Sequence, residues 1–230
     1  MSVKGFLTHA HDLIRQFLGD DVTEILFVPY ASVIDSFDDY AAVASDPFRA
    51  MGYAVRSLHN CEDLAATVER AQAIVVGGGN TFHLLRRLYD EGLLAMIRAR
   101  VAAGVPYVGW SAGANIVCPT IMTTNDMPIV WVPSLQALAL VTFQINPHYI
   151  DNNPNGFYGE TRARRILEFA RLHPNTVVVG LPEGGIIRIE GENVHLLGCS
   201  AAKVFLGDAE PFEVQSLEFL EHPDNAVARR

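Results

Sequence analysis

The chain lacks any apolar run of about 20 residues that could cross a bilayer. Its opening, Met1-Ser2-Val3-Lys4-Gly5-Phe6-Leu7, carries no basic stretch followed by an apolar core, so neither insertion nor export is expected and the protein reads as cytoplasmic. Cysteine is scarce. Cys61, Cys118 and Cys199 are odd in number and show no CxxC or Cys/His metal spacing, which sets aside a disulfide framework and a zinc site and points to reduced thiols. Cationic charge is scarce as well: 17 Lys and Arg against 26 Asp and Glu give a formal charge of −9, with no long basic run, so the electrostatic footprint of a nucleic-acid binder is missing. There is no fixed-period repeat and no low-complexity tract, which removes solenoid readings.

What is present is material for a large core. Half of the 230 residues are hydrophobic and 19% are charged, and nothing marks a linker, so a single domain over 1–230 is the default. The pattern predicts helices over Phe6 to Leu18, Asp35 to Gly52 (despite Pro47), Glu62 to Ala71, Thr81 to Tyr89, Gly92 to Ala103 and Glu160 to Leu172. Between them lie apolar strands at Glu24 to Tyr30, Tyr53 to Leu58, Ala73 to Val76, Val105 to Trp110, Leu138 to Ile145 and Thr176 to Leu181. Such alternation predicts an α/β fold with a mostly parallel central sheet covered by helices on both faces, where ligands sit at the carboxyl ends of strands. Ile186 to Ile189, Val194 to Leu197 and Lys203 to Leu206 read as antiparallel strands at one edge.

Two glycine-rich turns fall at strand ends. Gly109-Trp110-Ser111-Ala112-Gly113 follows an apolar strand, and its glycines let the backbone round a strained corner that holds the Ser111 hydroxyl out at the tip. Val76-Gly77-Gly78-Gly79-Asn80-Thr81 is the second. A dinucleotide fingerprint starting at Gly77 would need glycine where Phe82 stands, and no Gly-Lys-Ser/Thr follows for a P-loop. The remaining use of bare amides beside a nucleophile is an oxyanion hole, with one N–H from Gly78 or Gly79 and one from Ala112.

A serine nucleophile needs a histidine base that is itself oriented by a carboxylate. His9, His11, His59, His83, His173, His195 and His222 sit where packing or surface roles suffice, whereas His148 follows an apolar strand through the rigid Asn146-Pro147 pair, a strand-end position like that of Ser111. Two acids qualify as the third member, Asp126 in Thr123-Thr124-Asn125-Asp126-Met127-Pro128 and Glu183 in Leu181-Pro182-Glu183-Gly184-Gly185, and spacing does not separate them.

Gly77-Gly78-Gly79-Asn80-Thr81-Phe82, Gly109 to Asn115, Thr123 to Pro128, Gln144-Ile145-Asn146-Pro147-His148 and Gly180 to Gly184 occur in one order, and together they resemble the peptidase E family. That family consists of serine dipeptidases that cleave after an amino-terminal aspartate and is related to the cyanophycinases. The resemblance covers residues 24 to 206 and implies a class I glutamine amidotransferase-like scaffold, with Ser111 as nucleophile and His148 as base. Asp126 and Glu183 both match positions considered for the acid, and Glu183 is favoured. The resemblance further implies that Arg162, in Gly159-Glu160-Thr161-Arg162, meets the substrate's carboxylate, and it puts Asn80 at the substrate site. A planar bidentate guanidinium suits that carboxylate. No cofactor and no metal are implied, and the expected partner is a small peptide with a free amino-terminal Asp, acted on by a monomer or homodimer. Two departures stand out: the family's short apolar strand before the first helix is not evident, and Trp131-Val132-Pro133 is unusual. The rival readings are a cyanophycinase-like hydrolase of β-aspartyl-arginine bonds and a non-catalytic aspartate-binding domain on the same scaffold.

Overall fold

The structure, a computed structural model, describes residues 7–151 and 159–220. Phe6, the expected first residue of the opening helix, and His222 lie outside the described residues. The chain forms two compact units, one of residues 1–121 with 126–140 and one of residues 122–125 with 141–230.

The first unit begins with α1 (His11–Leu18), β1 (Glu24–Val28), α2 (Phe37–Ala50), β2 (Ala54–Ser57), α3 (Leu64–Arg70) and β3 (Ile74–Val76). It continues through α4 (Thr81–Asp90), α5 (Leu93–Ala102), β4 (Tyr107–Gly109) and the single turn α6 (Ala112–Asn115). Its sheet has the order β2-β1-β3-β4 and every pairing is parallel. Successive residues of β1 point to opposite faces. Leu26 and Val28 join Ile74 and Val76 in a core with Val68, Leu84, Leu85, Leu88 and Ile97 from α3, α4 and α5. Phe27, on the other face, meets Tyr40 of α2 edge-on at 5.5 Å. Both faces are therefore covered, and Ile25 to Val28 of β1 and the whole of β3 are apolar because neither side sees water. Helix starts follow local chemistry: Ser36, Asp63 and Asn80 each accept a backbone N–H three residues on as side-chain caps of α2, α3 and α4.

The second unit contains β5 (Gln144–Tyr149), α7 (Arg162–Leu172), β6 (Val178–Pro182), β7 (Ile186–Glu190), β8 (Asn193–Leu197), β9 (Ala202–Phe205) and β10 (Phe212–Val214). The order β10-β9-β6-β5 combines a parallel β5–β6 pair with antiparallel β6–β9 and β9–β10 pairs, and β7–β8 is a separate antiparallel hairpin. Tyr149, Ile166, Ala170, Val178 and Phe205 seat α7 against this sheet. The chain is thus an α/β protein with a parallel sheet, helices and terminal antiparallel strands.

One strand differs from expectation. The apolar run from Leu138 is not the strand that carries His148: Leu138, Ala139 and Leu140 donate their amides to Ile116, Cys118 and Val117 behind α6. The strand starts instead at Gln144 and runs on through Asn146, Pro147 and His148. The Leu138 to Leu140 run is the more apolar of the two, yet its amides are taken by the carbonyls after α6, so it does not join the sheet.

Candidate active site

Ser111 stands on a strained corner. It has φ 53° and ψ −111°, a conformation that side-chain-bearing residues rarely adopt, between the end of β4 and the first turn of α6. The flanking glycines are required by crowding: a Cβ on Gly109 would lie 2.4 Å from the Gly113 carbonyl oxygen, and one on Gly113 would lie 2.2 Å from that of Val76. The Tyr107 hydroxyl donates to the Gly113 carbonyl at 2.8 Å and ties the corner back to β4.

The glycine loop after β3 is walled on three sides. A side chain on Gly77 would begin 2.5 Å from the Tyr40 hydroxyl, one on Gly78 would begin 3.0 Å from Ser111 Cβ, and one on Gly79, at φ 136°, would begin 2.2 Å from the Ala31 carbonyl oxygen. The Gly77 and Asn80 amides donate to Val28 and Ala31 at 3.1 and 2.8 Å. The Gly78 amide faces the Tyr40 hydroxyl. Gly79 is the exposed glycine of the three, and Ala112, the residue after the serine, is buried at the head of α6.

Asn80 and Asp126 hold this loop from behind. Asn80 accepts the His83 N–H at 3.0 Å and donates to the Met127 carbonyl at 2.9 Å. The Asp126 carboxylate accepts the Thr81 N–H at 2.7 Å and the Thr81 hydroxyl at 2.5 Å. A carboxylate at the first amide of a helix is favoured both as an acceptor and by the helix dipole.

The second unit holds the other candidates. His148 has φ 55° at a register irregularity of β5 between Pro147 and Tyr149, a bulge that turns its ring out of the alternation of the strand. The ring is 52% exposed, and its Nδ1 meets Glu183 Oε2 at 2.5 Å just past the end of β6. Asn125 braces the strand from the side, donating to the Pro147 carbonyl at 3.0 Å while Asn146 donates to Asn125 Oδ1 at 2.8 Å. Arg162 opens α7 and donates to the His148 carbonyl. Partial burial and the neighbouring Arg165 hold its guanidinium below the usual arginine range. Such a cation gains more than an exposed one from a carboxylate partner.

Of the sequence candidates, Ser111, Gly78, Gly79, Ala112, Asn80 and Asp126 gather within the first unit, and His148, Glu183 and Arg162 within the second. Tyr40, Trp110 and Thr81 were not singled out from the sequence. Thr81 at a helix start could have been, as a hydroxyl beside the first amide of α4, whereas nothing local marks Tyr40.

A family model described as peptidase family S51 matches residues 1–197. The chain belongs to peptidase family S51. A peptidase E of Nostoc sp. (strain PCC 7120 / SAG 25.82 / UTEX 2576) is 42% identical over 218 residues, covering 94% of this chain and 90% of that protein. A peptidase E of Pasteurella multocida (strain Pm70) is 43% identical over 194 residues, covering 84% and 83%. The solved structure of a Listeria monocytogenes EGD-e protein assigned to peptidase E superposes with a TM-score of 0.68 at 27% identity, over 84% of this chain and 95% of that one. As a member of S51 the chain is a peptidase, a hydrolase acting on peptide bonds. Among the described residues no group of three His, Cys, Asp or Glu side chains is placed to hold a metal ion, and no helix is long and apolar enough to cross a membrane.

Proposed function

We propose that this S51 peptidase is a serine dipeptidase that hydrolyses the bond after an amino-terminal aspartate. Ser111 Oγ attacks the scissile carbonyl carbon and gives its proton to His148 Nε2. The amides of Gly79 and Ala112 hold the developing oxyanion, and His148 then protonates the leaving amine as the acyl-enzyme forms. Water, deprotonated by the same histidine, releases aspartate. The observation that carries this reading is the contact of His148 Nδ1 with Glu183: a ring that donates Nδ1–H to this carboxylate keeps Nε2 for the serine proton. Asp126 is assigned to the head of α4, where its carboxylate already has donors, and Asn80 to shaping the loop above it.

Arg162 supplies the specificity: a carboxylate buried without a cation would be costly, and a guanidinium can hold it bidentately. The two units are read as parts of one peptidase domain, because the S51 match runs through both. Cys61, Cys118 and Cys199 are in no disulfide, which suits a reducing cytoplasm.

The test is a substrate panel on the purified protein. Release of free Asp from Asp-Leu, with Ala-Leu and β-Asp-Arg left intact, is the expected result. Preferential cleavage of β-Asp-Arg would move the assignment to a cyanophycinase-like activity. Binding of aspartate without cleavage of any of the three would move it to a binding domain.

A further inference from the structure

We propose that Tyr40 is a positioning residue of the acyl-transfer site, its hydroxyl locking the glycine loop against the serine corner so that the Gly79 amide points at the oxyanion. This deepens the dipeptidase reading above and rests on it.

Tyr40 lies in the first turn of α2, and its ring packs edge-on against Phe27 at 5.5 Å. Phe27, fully buried in β1, stacks in turn on the Trp110 indole at 6.1 Å and 11°. Trp110 is the residue before the serine. An aromatic chain therefore runs from α2 through β1 to the nucleophile. The tip of Tyr40 occupies the space a Gly77 side chain would need, 2.5 Å from the position of its Cβ. The Gly78 amide and the Trp110 indole N–H both face the phenolic oxygen, while burial pushes the phenol up to about 12, so the hydroxyl stays protonated over any working pH. A phenylalanine would fill the same apolar space; the hydroxyl is the part that needs another reason.

The loop geometry supplies that reason. The peptide planes on either side of the one carrying the Gly79 N–H are each fixed from outside: the Gly78 amide faces Tyr40, and the Asn80 amide donates to Ala31 at 2.8 Å. The plane between them, and with it the direction of the Gly79 N–H, is set by these two anchors. Gly78 is also 3.0 Å, measured from its would-be Cβ, from both Ser111 Cβ and Trp110 Cδ1, so the loop and the serine corner form one close-packed assembly. Removing the hydroxyl releases one anchor and lets the plane tilt. An oxyanion donor acts only when aimed, and a small misplacement lowers the rate without weakening ground-state binding.

The experiment compares wild type, Tyr40→Phe and Trp110→Phe on Asp-p-nitroanilide, with kcat, KM, Tm and the rate of Ser111 labelling by a fluorophosphonate read on each. The expected result for Tyr40→Phe is a drop of about tenfold in kcat and a similar drop in labelling rate, with KM within about twofold and Tm little changed, since positioning acts on the transition state. Trp110→Phe removes the other N–H at the same oxygen and is expected to show the same split with a smaller loss; it carries the test alone if Tyr40→Phe fails to fold. Values of kcat within about twofold of wild type in the folded variants, or losses that follow Tm or KM instead of kcat, overturn the proposal. If the wild type neither releases p-nitroaniline nor takes the label at Ser111, the dipeptidase reading itself fails and the role of Tyr40 falls with it. An active, labelled wild type beside an equally active Tyr40→Phe refutes only the positioning role.

Discussion

Replacing Glu183 by glutamine keeps the shape of the side chain and removes its charge, and it separates the two acids that spacing in the sequence does not. In the structure Glu183 Oε2 lies 2.5 Å from His148 Nδ1, but the pair is open to solvent, with side-chain exposures of 52% for the histidine and 80% for the glutamate. A hydrogen bond to a charged partner is worth about 1.5–3 kcal/mol, and solvent screening takes this pair to the lower end. About 1.4 kcal/mol is tenfold in rate, so Glu183→Gln is expected to lower kcat by roughly tenfold, far short of the ~10⁴-fold seen when a buried triad acid is neutralised. Its Tm is expected to stay near that of the wild type. Asp126→Asn has the opposite signature. It takes the charge from an acceptor held by the Thr81 N–H and hydroxyl at the start of α4, a loss of about 1–2 kcal/mol in stability, which for a protein of this size lowers Tm by about 2–8 °C. Steady-state kinetics on Asp-p-nitroanilide and thermal unfolding followed by circular dichroism read the two effects. A hundredfold kcat loss in Asp126→Asn at unchanged Tm, with Glu183→Gln as active as wild type, would refute the assignment of Glu183.

Gly79→Ala is expected to destabilise the fold by at least about 2–3 kcal/mol, because its φ of 136° disfavours a side chain and the new Cβ would meet the Ala31 carbonyl 2.2 Å away. Thermal unfolding checks this, and a wild-type Tm would show that the loop is not held as described. Arg162→Ala is expected to raise KM for Asp-Leu by about 100-fold or more, since a charged hydrogen-bonded partner of the substrate is lost, while Arg162→Lys recovers only part of it. An unchanged KM would place aspartate recognition elsewhere. Tyr30, Tyr40, Tyr107 and Tyr149 all have phenols raised above the ordinary value of 10.0, chiefly by burial. Groups raised in the folded state stabilise it fully below the unfolded value of about 10, and that contribution is lost as pH rises through the folded values. Ultraviolet titration should therefore show only part of the tyrosine set ionising near pH 10, the rest following with alkaline unfolding; ionisation of every tyrosine near 10 in the folded protein would contradict it.

Much of the fold was legible because β1, β3 and β4 are short, largely apolar runs, the last two leading into glycine turns, and a covered parallel sheet leaves that signature. The serine corner was legible for a related reason: a strained φ at Ser111 with crossing backbones on each side needs glycine at 109 and 113. The strand holding His148 was displaced in the sequence reading because Leu138 to Leu140 are as apolar as a strand yet serve the carbonyls behind α6. β10, three residues long, carries too little pattern to stand out. Asp126 and Glu183 both sit in polar turns, and what tells them apart, Thr81 beside one and His148 beside the other, is partner geometry that no local pattern encodes. Tyr40 shows the same limit, since an aromatic residue on an amphipathic helix looks like core until its hydroxyl is seen against the glycine loop.

The most direct test of the central claim is the initial rate of p-nitroaniline release from Asp-p-nitroanilide by pure, folded Ser111→Ala beside the wild type. If Ser111 is the nucleophile, the wild type turns over and the variant loses at least about 10⁴-fold in kcat, leaving only what binding and the oxyanion site supply. A folded Ser111→Ala protein that still hydrolyses the substrate at a rate near the wild type would contradict the account at its centre.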